Sequence, residues 1–492
     1  MGLGGSTRHG CAALTDGDSI RGVCEQERVA RVRGVGFNSV TGLPDEAIDL
    51  LLNRAGRVRS DIQRYVLAAR PANPSLNGAA SIDLHYAHAC AAYLSSSFSS
   101  AAIVVCDGEA PGVTVWMGSG GDISPVEWPW TGIGFSELYA RCARIVGFEA
   151  GNGQRFEALA RLEPEVHDAR LEKLFRVDDR CLALEDGWEA KLSEWITARA
   201  SISERSSKAA ALQTRIGDLL LEFLKAVQHF TQAEQLCLGG DLFFHSSINT
   251  RVRKSGLFSR VFIPVDPGSA GLAVGAALSE TKSAPSLLSA FLGPAYATGE
   301  TKAILDNCKL PYTLVGRREY LQTAVEALLR GKLIAWYEGA MEWGRRALGA
   351  RSILASPFSP YVLDNLNQFL KHREPWRGYA LSVLESVVKE NFEGPSESPY
   401  MECDFRPRDV ERFRHVLPST KASIRVQTVG TGAPLGFRDL LAACAEVGLP
   451  CLVNTSFNGF HEPIVCSPRD AIRVFYGSGL DLLFLDGFLL EK

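Results

Sequence analysis

Apolar and polar positions in this chain switch between a period near two and a period near 3.6, and the switches outline an α/β protein. Residues 12–14 and 19–24 are short apolar-rich runs on either side of Asp16-Gly17, which predicts a β-hairpin. Pro44-Asp45-Glu46 places acids ahead of an apolar-periodic stretch over 47–55 that Gly56 closes, which predicts a helix. Helices are also expected over 84–94, 207–231, 268–278, 318–330 and 440–447, and buried strands over 101–106, 235–238, 333–337 and 450–453. Ser467-Pro468 supplies an N-cap and a first-turn proline for a helix through Phe475. No internal repeat stands out in the residues.

At 492 residues the chain exceeds one core and suits two or three domains of roughly 100–200 residues. The composition shifts to Ser, Pro, Ala and Gly between 281 and 300, as a connector would. The expected division is a first domain over 1–290, a linker over 291–310 and a second domain over 311–492.

Charge and composition narrow the function. With 52 Lys+Arg against 56 Asp+Glu the net charge is -4, and no basic stripe is present to neutralise many phosphates, which argues against a nucleic-acid partner. The apolar runs fall short of the roughly 20 residues of a spanning helix, and the opening residues lack the apolar core of a secretion signal, so no membrane and a cytoplasmic location are expected. Twelve cysteines without a C-x-x-C pair read as buried free thiols.

The common phosphate and hydrolase motifs are absent. The densest chemical signal is the run from Glu338 to Ser352, which contains Gly344, Arg345, Arg346, Arg351 and Ser352 directly after a predicted strand. Glycines that admit a close backbone approach, among guanidiniums that donate in pairs, suit a phosphate or carboxylate; the competing reading is a loop whose arginines pair with surface acids. Lys371-His372-Arg373-Glu374, with Arg377 behind it, forms a second basic knot, and Asn454-Thr455-Ser456-Phe457-Asn458 follows a strand. His85 and His88, three apart on a predicted helix, share a face, and Asp107 ends the next strand; such a set could hold a divalent metal, although histidines on a helix are more often ordinary residues.

Together these stretches resemble the O-carbamoyltransferases of nodulation-factor and antibiotic biosynthesis, the NodU/CmcH type. The likeness runs through LHYAHACAAYL, IVVCDG, GLAVGAAL, MEWGRRALGARSIL, KHREPWRGYALSVL and LVNTSFNGFHEPIVCSPRDAIRVF. It implies an N-terminal domain of the actin-like ATPase (ASKHA) fold followed by a YrdC-like α/β domain. It also implies ATP and carbamoyl phosphate as substrates, carbamoyl-adenylate as the intermediate, and a hydroxyl of a small molecule or sugar as acceptor.

On the resemblance, Lys371, Arg373, Arg346 and Arg351 are the catalytic cations, while Ser456, Asn458, Ser352, Gly344, Gly239 and Gly240 bind nucleotide or carbamoyl oxygens. His88 and Asp107, with His85 as a stand-in, are what is left of a site for iron, manganese or magnesium. Leu84 stands where the family places its first metal histidine, and Pro267-Gly268-Ser269-Ala270-Gly271 lacks the family's metal-binding aspartate. Phe244 replaces an expected amide and Gln154 an expected lysine, while Asp241 is an added acid available as a substitute. The implied transfer site is therefore altered, whereas the activating site is complete. The alternative is a weakened paralogue serving as a binding or regulatory subunit of an intact homologue; as an enzyme the chain is expected to act as a homodimer or in such a heteromer.

Overall fold

The computed structural model describes the chain except residues 70–78, 111, 150, 179, 197–199 and 282–283. Lys282 and Ser283, at the start of the expected connector, lie outside the described residues.

The predicted hairpin forms between Cys11–Asp16 and Ser19–Glu25, and the shorter strand Gly2–Gly4 pairs beside it. Tyr65–Ala69 and Ala79–Asp83 then add in parallel, so this five-stranded sheet has three antiparallel strands continued by two parallel ones. A second five-stranded sheet repeats the arrangement. Ser100–Cys106, Val113–Ser119 and Asp122–Val126 form its antiparallel meander, and Gln235–Gly239 and Arg260–Phe262 extend it in parallel from the first strand. The molecule therefore contains a repeat of topology that its residues do not display, because strand order is set by which edges pair and many sequences satisfy one order.

Two short apolar helices pack between these sheets. Leu84–Leu94 and Ser269–Leu278 are buried almost throughout, as expected of helices apolar on all sides. They approach so closely that a Cβ on Gly275 would lie 1.9 Å from the Ala87 carbonyl oxygen, so only glycine fits there.

Residues 313–491 build a ten-stranded mixed sheet. At its centre Ile334–Tyr337, Arg351–Ala355, Cys451–Ser456 and Ala380–Leu384 lie side by side, each antiparallel to the next, and the outer two pair in parallel with Leu482–Leu485 and Ile424–Val429. Helices Arg317–Leu329, Leu435–Glu446 and Pro468–Tyr476 cover it, the last capped by Ser467 as predicted.

The stretch expected as a linker, 291–310, is built into the structure. Leu292 accepts a backbone hydrogen bond from Val23, Gly293 donates one to Met341, and the helix Thr298–Asn307 buries Leu305 in the core of the large sheet. A second tie runs from the first sheet: Arg28, 1% exposed, donates to the Gly344 carbonyl at 2.6 Å, and Glu25 accepts from the Gly344 N–H at 2.6 Å. Among the described residues no helix is long and apolar enough to cross a membrane.

Candidate functional site

Two polar clusters stand apart, one at the end of a central strand of the large sheet and one between the two smaller sheets.

The first cluster is delivered by a change of helical pitch. The helix from Val362 widens into a π-helical turn over Asn365–Leu370, so that the Lys371 N–H reaches back five residues to the Leu366 carbonyl. This brings Lys371 against the end of the strand Cys451–Ser456. Its ammonium donates to the Ser456 carbonyl at 2.6 Å, the Asn458 carbonyl at 3.1 Å and Asn458 Oδ1 at 2.6 Å. Ser456 Oγ also donates to Asn458 Oδ1 at 2.7 Å. Arg373 lies flat over the Tyr379 ring at 3.8 Å and donates to Asn367 Oδ1 at 2.8 Å. Lys371, Ser456 and Asn458, assigned together from sequence, are thus bonded to one another, and Arg373 stands close enough for its charge to act on Lys371.

Among the described residues, no carboxylate forms an ion pair with Lys371 or Arg373. Burial lowers the Lys371 ammonium well below the usual lysine range, and the charges of Arg373 and Arg33 push it the same way. Burial likewise lowers Arg373, and brings Arg377 down to about 10 with help from Arg373. Glu374, paired with Arg155 and lying 3.9 Å from Arg377, offsets only part of this, and a site that holds buried cations at a disadvantage gains by admitting an anion.

The run 338–352 behaves differently from the sequence expectation. Arg351 is completely buried, stacks on Tyr337 at 3.5 Å, and donates to the carbonyls of Ala350 and Gly339, both at 2.9 Å, so it clamps its own loop. Glu342 completes the clamp by accepting from the N–H groups of Leu348, Ala350 and Arg351. Ser352 is also fully buried and accepts from the Gly349 N–H. Gly344 is occupied by Glu25 and Arg28, with φ at +88°, instead of lying beside Lys371. Arg346 points away from the Lys371 cluster altogether and donates to the Phe244 carbonyl at 3.1 Å. Asn454, 2% exposed, is locked to Ser382 and Gln427 within the sheet.

The second cluster lies where the parallel strands of the second small sheet end. A Cβ on Gly240, whose φ is +98°, would sit 2.1 Å from the Cys106 carbonyl oxygen, and glycine here lets the chain turn directly beside Asp107. The adjoining Gly239 lies against His88. His88 and Asp107 are buried and bonded to each other, Nε2 to Oδ2, at 3.1 Å. Burial opposes ionisation of Asp107, yet the His88 ring outweighs it and holds the carboxyl down at about 2. Asp241 accepts from Ser136 Oγ at 2.7 Å and from the Gly108 N–H at 3.1 Å; burial, aided by the charge of Asp107, pushes it up to about 6.

This donor set does not fit the divalent metal that the sequence resemblance implies. His85 cannot stand in as a ligand, because both ring nitrogens are taken: Nε2 donates to the Ala110 carbonyl at 3.2 Å and Nδ1 accepts from Thr114 at 3.0 Å. His88 Nε2 is taken by Asp107, whose oxygens also accept from the N–H groups of Glu109 and Asp241, so that only His88 Nδ1 is left buried without a partner, and Asp241 is held by a hydroxyl and an N–H. Among the described residues no three His, Cys, Asp or Glu side chains are grouped so as to hold an ion.

Beside this cluster runs an ionic network that the sequence did not announce. Arg161 forks onto both oxygens of Asp404, at 3.0 and 3.2 Å, and reaches Glu157 at 2.9 Å. Glu157 Oε2 lies 3.5 Å from His245 Nδ1, and the His245 ring stacks on Tyr139 at 4.0 Å. Burial brings the nearby Arg346 guanidinium down to about 10, opposed by the charge of Glu157. Arg345, in turn, lies over the Phe244 ring at 4.3 Å. The one available signal was the spacing of Glu157 and Arg161, four apart.

Comparison with known proteins agrees with the motif content. The family models for the carbamoyltransferase N-terminus and C-terminus match residues 73–278 and 325–492. The nodulation protein NolNO of Sinorhizobium fredii is 28% identical over 446 residues, covering 83% of this chain and 63% of that protein. NolO of Bradyrhizobium diazoefficiens is 31% identical over 296 residues, 58% of this chain and 54% of that one. An uncharacterized protein of Synechocystis sp. is 29% identical over 83% of this chain and 75% of its own length. The chain thus spans between about half and three quarters of these relatives. Among solved structures, the activator of the 2-hydroxyisocaproyl-CoA dehydratase from Clostridium difficile, with bound ADPNP, overlaps 56% of this chain and 92% of its own at 15% identity and a TM-score of 0.37. HypF of T. kodakarensis overlaps 56% of this chain and 48% of its own at 13% identity and a TM-score of 0.36. With models of one family matching both parts of its length, the chain belongs to the carbamoyltransferase family.

Proposed function

We propose that the chain is an O-carbamoyltransferase that consumes ATP and carbamoyl phosphate, with carbamoyl-adenylate as its intermediate and a small-molecule hydroxyl as its acceptor. The observation that carries this reading is the Lys371 cluster, where Lys371 meets Ser456 and Asn458 and neither it nor the neighbouring Arg373 forms an ion pair with a carboxylate among the described residues. Phosphates entering there would supply the missing negative charge. Water would cleave carbamoyl phosphate to carbamate and inorganic phosphate, and a carbamate oxygen would then bond to the α-phosphorus of ATP as pyrophosphate leaves. Arg373 and Arg377 would neutralise the charge that builds, and Ser456 would orient the carbamoyl group. Lys371 acts by holding the Ser456–Asn458 turn, since its three hydrogens are spent on that turn.

We assign transfer of the carbamoyl group to the region of Gly239, Gly240 and Asp241, where Arg345 and Arg346 of the 338–352 run reach Phe244. There the acceptor oxygen attacks the carbamoyl carbon and AMP leaves. We read the paired five-stranded sheets, with their repeated order, as the actin-like half of the molecule and the ten-stranded sheet as its YrdC-like half.

The test is pyrophosphate release by purified protein given ATP and carbamoyl phosphate. Arg373→Ala should lower the rate at least about tenfold, the low end of what one preorganised charged donor contributes to phosphoryl chemistry, and Lys371→Ala should lower it by releasing the Ser456–Asn458 turn. Release at the unaltered rate in both variants would refute the assignment.

A further inference from the structure

An aromatic group stands at the rim of the Lys371 cluster, and the proposed chemistry does not use it. Phe460 is 50% exposed, large for an apolar ring in a short turn. Its centroid lies 5.3 Å from that of His372 in an edge-to-face arrangement, and 4.0 Å from that of His461. His372 is the residue between Lys371 and Arg373, and Phe460 follows Asn458 by two, so the rings adjoin the cations by covalent connection.

The backbone spends conformational energy on this arrangement. His372 and His461 both sit in the left-handed region, at φ of +45° and +57°, where residues with a Cβ are uncommon. The turn carrying Phe460 is fastened from inside: Asn458 Nδ2 donates to the Glu462 carbonyl at 2.6 Å, and Arg473 forks onto the Glu462 carboxylate at 2.8 and 2.7 Å. The exposed ring is therefore on a rigid support, beside a cationic site short of an anion.

We propose that Phe460, flanked by His372 and His461, is the stacking platform for the base of a nucleotide whose phosphates enter the Lys371–Arg373 site. The inference rests on the reading of that site given above and adds the ligand's other end. A flat base covers the exposed face of Phe460, and the two imidazoles border it.

The test compares two ligands by calorimetric titration: ATP, and inorganic tripolyphosphate, which carries the charge without the base. Phe460→Ala should weaken ATP about tenfold, within the range for loss of one stacked base, while tripolyphosphate binds as it does to the unaltered protein. Phe460→Trp should retain ATP affinity. Unchanged ATP affinity in Phe460→Ala would overturn the platform and leave the anion site standing, as would equal loss of both ligands. Failure of the unaltered protein to bind either ligand would instead overturn the anion site itself.

Discussion

Replacing Arg161 by methionine removes the guanidinium that two buried carboxylates share while retaining most of the side chain's bulk. Glu157 and Asp404 are 1% and 4% exposed, and neither has another arginine or lysine in ion-pair contact among the described residues. Breaking a buried pair by deleting one partner costs about 3–5 kcal/mol, since the remaining charge stays out of water. Arg161 is itself only 12% exposed, so solvent screening takes little from that figure. At about 2–4 °C per kcal/mol for a domain of 150–250 residues, the unfolding midpoint should fall by on the order of 10 °C. The pH dependence is a sharper check. Burial opposes ionisation of Glu157, but Arg161 and His245 outweigh it and hold its carboxyl below the usual range. Its stabilisation is therefore complete above the unfolded carboxylate pKa and is lost as pH falls through the folded value. Without Arg161, burial raises both carboxyls, and the variant's deficit should be largest near pH 8 and shrink toward pH 5 as they take up protons. Arg161→Met combined with Asp404→Asn should recover part of the loss. Scanning fluorimetry across pH 5–8 measures all of this. A fall of less than about 2 °C, or one independent of pH, would show that the network contributes little.

Three other outcomes are expected. Asp241 has its carboxyl raised to about 6, so the stability it confers is present below the ordinary aspartate value near 4 and lost as pH rises through about 6; Asp241→Asn, which keeps the acceptor for Ser136 and Gly108, should gain in midpoint at pH 8 relative to the unaltered protein and gain nothing at pH 4, and a gain independent of pH would contradict the assignment. Gly275→Val should give little folded protein by circular dichroism, because its Cβ would lie 1.9 Å from the Ala87 carbonyl oxygen. Dialysis against iron(II), manganese or magnesium followed by gel filtration should leave no stoichiometric metal and no shift in unfolding midpoint, and one bound ion per chain would overturn the reading of His88 and Asp107.

Much of the local structure was legible in the residues. Periodicity and stop signals located the 84–94 helix to the residue, because one apolar run was bounded by Asp83, which caps it, and by Ser95. The juxtaposition of Lys371 with Ser456 and Asn458 was legible only through resemblance, since 85 residues separate the ammonium from the Ser456 carbonyl it meets. What failed was direction. Arg346 and Arg351 are five apart in one run, yet one reaches outward to Phe244 and the other folds back beneath its own loop, a choice set by the turns at Gly344 and Gly349 and by Glu342. His85 was sorted by its surroundings in the same way, because Thr114 and Ala110 come from a neighbouring strand and loop that spacing along a helix does not report. The Arg161–Asp404 fork spans 243 residues and leaves no local pattern.

The bond from Arg28 to the Gly344 carbonyl spans 316 residues, which sets a timetable for synthesis. At about 5–20 residues per second, a ribosome takes roughly 15 to 60 seconds after making Arg28 to produce its acceptor. Throughout that interval the guanidinium and Glu25 wait without the Gly344 backbone that both bond in the finished fold. A gene cut between the two segments would deliver a polypeptide that never leaves this waiting state.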